Sequence, residues 1–466
     1  LAPGYRIVNQ SREVKFIPGV TPGLRVESQY ALQNSGTTDL SFIDVNLPEA
    51  RFYGTNDVNA TIDGRMVSLV PLPEEYQPSS PNARRIEFDP VWKRRERRDL
   101  AISYVFVSPA DSGSRITAGA EDFHLSSRGW SPMPQAPRHF LSPYPIRPNH
   151  VGYTVRVPSD FMVLGRGKLS GQKQAGEETV YRFELRKDDL TPFVVAGKYV
   201  TIASGHEAAE PVFWTFQPLN DDPQPALTKI AAAWDLLTKD FGQLDRNIRA
   251  PHIVESSGLR DRSTADEDSA AVAFPGGALV GSATFALGIE SDAFLAAATH
   301  ALAHNWFGDQ VFFTPDAALG MGEGLPAYAT IVIDESEKGE TGRRQRIIEY
   351  LNRYDKLRTQ EKETPLGVTM RTDPPAQQRI ALSKAPLFYI ALEDVCGEAP
   401  VRGGLKQMVT LLRGQQTSYD ALRSTLEQFC GKDLAPIFRV WLNDSGVPAD
   451  FRSRYGGAQA NAGAQP

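Results

Sequence analysis

Cysteine is almost missing from this 466-residue chain, with Cys396 and Cys430 the only two. A disulfide-stapled scaffold is thereby excluded, and two readings stay open: one bridge between neighbouring helices in an oxidising compartment, or two buried thiols. Long apolar runs are missing too. No stretch approaches the roughly 18 consecutive apolar residues of a membrane-spanning helix, so no membrane span is expected. Neither sign of charge dominates, since 50 Lys and Arg stand against 56 Asp and Glu for a formal net charge of -6. Nothing in that balance gives nucleic acid or an anionic membrane a reason to bind. Histidine is scarce, at seven in the chain, so a close pair of histidines stands out.

What is present is an ordinary globular composition, 41% hydrophobic and 23% charged, long enough for two to four domains at roughly 150 residues each. The basic run Trp92-Lys93-Arg94-Arg95-Glu96-Arg97-Arg98 reads as a solvated loop or guarded sheet edge before it reads as an anion-binding patch. The chain begins at Leu1, which fits either a trimmed chain or removal of a secretion signal and an extracytoplasmic (periplasmic or secreted) location.

From residue 5 to about 205 short alternating segments such as Leu24-Arg25-Val26-Glu27-Ser28-Gln29-Tyr30 and Tyr153-Thr154-Val155-Arg156-Val157 recur between Gly, Pro, Asn and Asp turns. This predicts an all-β domain over 1–205, a sandwich or saddle of two sheets, with hairpin material from Gly176 to Tyr199. After Pro223 the period becomes helical, with strands near Ile253 and over Ala271–Phe274, so 206–396 is expected to be an α/β domain. Four helical patterns between Ile380 and Leu442, with Gly397, Gly414 and Gly431 near their ends, place a helical segment at 397–452. The tail, 453–466, is too poor in apolar groups to order itself.

The chemistry concentrates in Thr299-His300-Ala301-Leu302-Ala303-His304-Asn305-Trp306-Phe307-Gly308, which follows an alanine-rich helical run that Ser291 is placed to cap. Histidines four apart share a helix face and can reach one cation. A helix opening at Pro315-Asp316-Ala317 and running to Asp334 carries Glu323, separated from His304 by eighteen residues, as the third ligand. Two His and one Glu leave a fourth position open, the mark of a catalytic rather than a structural zinc site, and soft nitrogen donors favour zinc over harder cations.

His300, His304, Trp306, Phe307, Gly308, Glu323, Gly324, Ala327 and Tyr328 resemble the H-E-x-x-H-x-W-F-G and N-E-G motifs of the membrane alanyl aminopeptidase family of gluzincin zinc metallopeptidases. The resemblance implies a β domain, a thermolysin-like α/β to α-helical catalytic domain, and a helical C-terminal segment. It also implies zinc as cofactor and a peptide or protein segment in the cleft.

The likeness breaks at three positions. The family's general-base Glu follows the first His, where this chain has Ala301, and a methyl group accepts no proton. The family's G-A-M-E-N strand, which holds substrate by its amino terminus, aligns with Gly277-Ala278-Leu279-Val280-Gly281, so Val280 replaces the amine anchor. The transition-state tyrosine two residues before a Lys-Gly aligns with Leu382 in Leu382-Ser383-Lys384-Ala385. Tyr389, farther along that helix, reads as a core aromatic before it reads as a substitute phenol. Asp309, Asp316 and Glu290 are the candidate replacement bases nearby in sequence, each with exposure or capping as its first reading.

The resulting expectation is a zinc-binding metallopeptidase homologue with peptidase activity lost or strongly impaired. Alternatives are a working endopeptidase or atypical aminopeptidase with another base, an inactivated variant of an active enzyme, and a peptide- or partner-binding module. Gly165-Arg166-Gly167 and Gly276-Gly277 lack nucleotide-loop spacing and read as turns. The stretch from Trp130 to Phe140 reads as a rigid connection within the β domain.

Overall fold

The computed structural model describes residues 4–48, 58–73, 82–107, 116–125, 130–135, 151–185, 193–203, 210–244, 250–259, 271–371 and 373–456. The first part is built on an eight-stranded sheet in the order Lys168–Ala175, Glu178–Leu185, Val151–Pro158, Tyr5–Ile17, Gly23–Asn34, Arg97–Val107, Asn59–Ile62 and Arg65–Val67. Two four-stranded sheets cover one face of it. One contains Met162–Gly165, Val194–Gly197, Asp122–Leu125 and Ile116–Ala118; the other contains Met133–Gln135, Leu40–Asn46, Ala83–Trp92 and Val70–Pro71. The expected all-β domain is therefore present, with its second layer split in two.

That split is written into the long strands. In Gly23–Asn34 the buried positions Leu24 and Val26 serve one core and Tyr30 and Leu32 the other, with buried Ser28 between them. In Tyr5–Ile17 a bulge between Ile7 and Asn9 shifts the two-residue period, so that Tyr5 and Ile7 point inward before it and Gln10, Arg12, Val14 and Phe16 after it. Gln10, Arg12 and Ser28 form a polar seam, in which Arg12 Nε donates to Ser131 Oγ at 2.5 Å. Trp130 is buried and Met133–Gln135 is a sheet strand, while Pro137 to Phe140 lie outside the described residues. The basic run forms the turn after Ala83–Trp92, where Lys93 pairs with Asp39 and Arg98 with Asp63 and Glu96.

The join to the second part falls earlier than residue 205. Val200–Ala203 pairs with Val212–Thr215 and so belongs to the next sheet, because its hydrogen-bonding partners lie there. Val194–Gly197 is buried on both faces, with Val194 and Ala196 in a β-domain core and Val195 packed with Phe193, Tyr199, Trp214, Val254 and Leu279. Beside this apolar joint, Ser256 Oγ donates to Asp122 Oδ2 at 2.9 Å, and Ser257 Oγ donates to Oδ1.

Burial pushes the Asp122 carboxyl up to about 6, against the opposing pull of those seryl hydrogen bonds. A raised acid favours the protonated folded state, so the contribution is complete below the ordinary 3.8 and lost as pH rises through about 6. Asp122→Asn is accordingly expected to gain stability relative to the parent across that window, by up to about 3 kcal/mol. Melting temperatures of both proteins at several pH values check this, and a difference independent of pH would count against it.

The second part has a five-stranded sheet in the order Val200–Ala203, Val212–Thr215, His252–Ser256, Gly277–Gly281 and Ala271–Phe274. Its middle pairings are parallel and the two outer ones antiparallel. The helices are α1 (Gln224–Phe241), α2 (Ser282–Ala286), α3 (Asp292–Ala303), α4 (Gly324–Arg358), α5 (Pro375–Cys396), α6 (Glu398–Leu411), α7 (Tyr419–Cys430), α8 (Ala435–Asn443) and α9 (Ala449–Tyr455). Gly339, at φ 66° and ψ -157°, breaks α4 into two pieces.

Three sequence expectations change here. The helix expected from Pro315 starts at Gly324, and 315–323 form irregular turns with hydrogen bonds such as Met321 N to Ala317 O and Glu323 N to Leu319 O. The 396/397 boundary does not separate cores, because Val401, Leu405, Leu422, Phe438 and Trp441 share one cluster with Ala298, Tyr328 and Tyr389. Helix α9 continues to Tyr455, beyond the boundary drawn at 453, since Phe451 and Tyr455 are buried in that cluster; residues 457–466 lie outside the described residues. Cys396 and Cys430, the last residues of α5 and α7, form a disulfide with Cα atoms 5.1 Å apart.

Candidate metal centre

Helix α3 starts where its sequence says it should, with the Ser291 side chain accepting from Phe294 N at 3.2 Å. Its alanines let it press on Gly277–Gly281 and α4, and it stops at His304, which is the C-cap. The next residues fix that end. Asn305 Oδ1 accepts from Gly276 N at 2.6 Å, Trp306 Nε1 donates to Gly242 O at 2.7 Å, and the Phe307 ring meets Phe241 edge-on. Gly308 turns the chain at φ 138°, a conformation that side chains disfavour.

Glu323 arrives on a glycine-rich turn that no larger residue would allow. A Cβ at Gly324 would sit 2.6 Å from Ala385 Cβ on α5, and one at Gly322 would sit 2.4 Å from Ala318 O. The close approach lets α4 begin against α5 and points the carboxylate at the end of α3. Glu323 Oε2 lies 3.0 Å from His304 Nε2 and 3.8 Å from His300 Nε2. The three donor atoms all lie within 4.8 Å of one another, and all three side chains are largely buried.

A tetrahedral ion with bonds of about 2.0–2.1 Å spaces its ligand atoms roughly 3.3 Å apart, so this cluster fits zinc with small side-chain movements. His304 Nδ1 lies 3.2 Å from Phe307 O. A proton on Nδ1 donated there would leave Nε2 as the nitrogen that turns its lone pair toward the cluster. Burial alone would raise the Glu323 carboxyl, but the charge that His304 carries when protonated and that of Arg371 hold it well below the usual carboxylate range. The second carboxylate oxygen, Oε1, accepts from Arg371 Nη2.

The remaining predicted residues are distributed unevenly. Ala301 is 1% exposed and packs in the core beside the pair. The strand Gly277-Ala278-Leu279-Val280-Gly281, expected to bind substrate, is interior: it pairs with His252–Ser256 on one side and Ala271–Phe274 on the other, and all five residues are buried. Among the described residues the edges of this sheet are Val200–Ala203 and Ala271–Phe274, and a strand paired on both sides has no backbone groups left for a peptide. Leu382 is half-buried on α5. The Tyr389 hydroxyl is committed to Gly320 O at 2.8 Å and fully buried, as a core aromatic would be.

None of the three acidic candidates joins the cluster. Asp309 pairs at 3.3 Å with buried Arg166, on the turn that Gly167 makes at φ 95°; Asp316 is half-buried in the turns before α4, and Glu290 is exposed at the far end of α3. Sequence reasoning missed Arg371 and Asn305. Asn305 lay inside the motif and bore a signal, whereas Arg371 is 48 residues from Glu323 and nothing local marks it.

Residues 274–441 match the peptidase family M1 domain. Among solved structures, the M1 zinc metallopeptidase from Deinococcus radiodurans is similar over 96% of this chain and 95% of its own, at 17% identity and a TM-score of 0.65. A point-mutant form of it bound to a Tyr-Ser-Ala substrate is similar at 17% identity and a TM-score of 0.66, over 96% and 95% of the two chains. At that identity the likeness speaks for the fold. No curated protein sequence matches the chain. The matched domain spans α3, the Glu323 turn and helices α4 to α7, so the part of the chain that carries the metal cluster is similar to a peptidase family M1 domain, for which zinc is the indicated cofactor.

Proposed function

We propose that this protein binds zinc through His300, His304 and Glu323 and holds a peptide or protein segment in the adjoining cleft, with peptidase activity lost or strongly impaired. One observation carries the reading. The three donors cluster as a metal requires, while the position that should accept the proton of attacking water is the methyl of Ala301, and no acidic side chain besides Glu323 joins the cluster among the described residues. Bound zinc polarises a carbonyl and acidifies water. What this chain lacks is the base, worth roughly 10² to 10⁴ in rate. The Deinococcus structure with Tyr-Ser-Ala supports a peptide as occupant. A working peptidase with another base loses its candidates, since Asp309 is paired with Arg166 and neither Asp316 nor Glu290 reaches the donors.

Elemental analysis of the purified protein, coupled to cleavage of a mixed peptide library, tests this. About one zinc per chain with no cleavage supports the reading, and steady cleavage by the parent sinks it. His304→Ala is expected to lower zinc affinity by at least about 100-fold, because two donors remain where three were positioned. Competition with a chromophoric chelator measures that loss; an unchanged affinity would place the metal elsewhere.

A further inference from the structure

The two oxygens of Glu323 face different ways. Oε2 looks toward the histidine pair, while Oε1 is held by Arg371 Nη2, which also lies 3.4 Å from Ala318 O. The Arg371 side chain is 49% exposed although its carboxylate partner is 10% exposed. It therefore stands at the rim of the centre, tied to the site through one nitrogen. Its loop is pinned by Met370 N donating to Asp373 Oδ2 at 2.8 Å and by Gln378 Nε2 donating to Arg371 O at 3.0 Å. Val368 and Met370, three residues and one residue before Arg371 in the same loop, are exposed apolar side chains, at 56% and 40%.

We infer that this centre takes the carboxylate end of a peptide, held between the metal and Arg371 with its last side chain against Val368 and Met370, rather than a free amino terminus. The inference rests on the zinc site proposed above. Zinc, the Glu323 carboxylate and the Arg371 guanidinium sum to two positive charges, and Ala301 and Val280 bring none of the negative charge that a site for an amine would need. Such a field favours an anion and repels an ammonium group. A guanidinium fork also matches a carboxylate in shape, which a lysine would not.

The test uses the zinc-loaded full chain and three probes in isothermal titration: N-acetyl-Ala-Phe as the free acid, the same compound as its amide, and Ala-Phe amide with a free amine. The acid is expected to bind at least about ten times more tightly than either amide. Arg371→Gln should erase that preference and Arg371→Lys retain part of it, with zinc content measured in each variant to separate anchoring from loss of metal. Equal binding of acid and amide, or preference for the free amine, overturns the inference while leaving the zinc reading intact. A parent protein that takes up no zinc defeats the zinc reading itself, and this inference with it. The preference of the parent decides the matter even if a variant folds poorly.

Discussion

Ala301→Glu is expected to raise peptide hydrolysis by roughly 10² to 10⁴ over the parent, at unchanged zinc content, because it returns a proton acceptor to the residue next to His300. The lower end of that range is the better expectation. Leu382 still offers no phenol to a developing oxyanion, and a missing donor of that kind typically costs about 10² to 10³, though such losses do not add within one catalytic unit. Ala301 is in contact with the core, so a melting temperature must accompany the rate to show that the larger side chain is accommodated. Zinc-loaded, folded Ala301→Glu protein that cleaves nothing would mean that the base is not the decisive loss. Adding Leu382→Tyr would then show whether the phenol is.

The largest effect on stability is expected at Glu363. Its side chain and that of Lys384 are each 1% exposed, with Lys384 Nζ 3.1 Å from Glu363 Oε1 and 2.7 Å from Asp444 O. Glu363 also accepts from Tyr354 Oη at 2.6 Å and Gly446 N at 2.7 Å, and Arg358 Nε lies 3.3 Å away. One carboxylate thus ties α4 to α5 and to the turn between α8 and α9. Glu363→Ala leaves a buried ammonium without its counter-charge and is expected to cost about 3–5 kcal/mol, read from urea denaturation. Replacing both partners by apolar residues, Glu363→Leu with Lys384→Met, should recover much of that loss, since the penalty comes from the orphaned charge. A loss below about 1 kcal/mol for the single variant would show that the pair is solvated after all. Lys384 is the lysine of the Leu382-Ser383-Lys384 match, so what aligns there with a catalytic motif is a structural cation here.

Local pattern sufficed wherever a feature is local. The spacing of His300 and His304, the Ser291 cap and the two-residue alternation of the long strands each follow from a few adjacent residues, and each stands in the structure as read. The third donor was legible as a residue but not as a shape. The local sequence reads as helix at Glu323, whereas glycine packing against Ala385 and Ala318 delays the helix to Gly324 and turns the carboxylate toward the histidines.

Sequence by itself determined the clustered set His300, His304 and Glu323, the alanine at 301 and the succession of β, α/β and helical parts, because these depend on residue identity and short-range period. Only the tertiary structure decided that Gly277–Gly281 is interior with Ala271–Phe274 outside it, that the C-terminal helices share the core around the metal cluster, that Cys396 and Cys430 are joined, and that Arg371 meets Glu323. Each of those depends on strand order, or on a contact between residues distant in sequence, which no local pattern encodes.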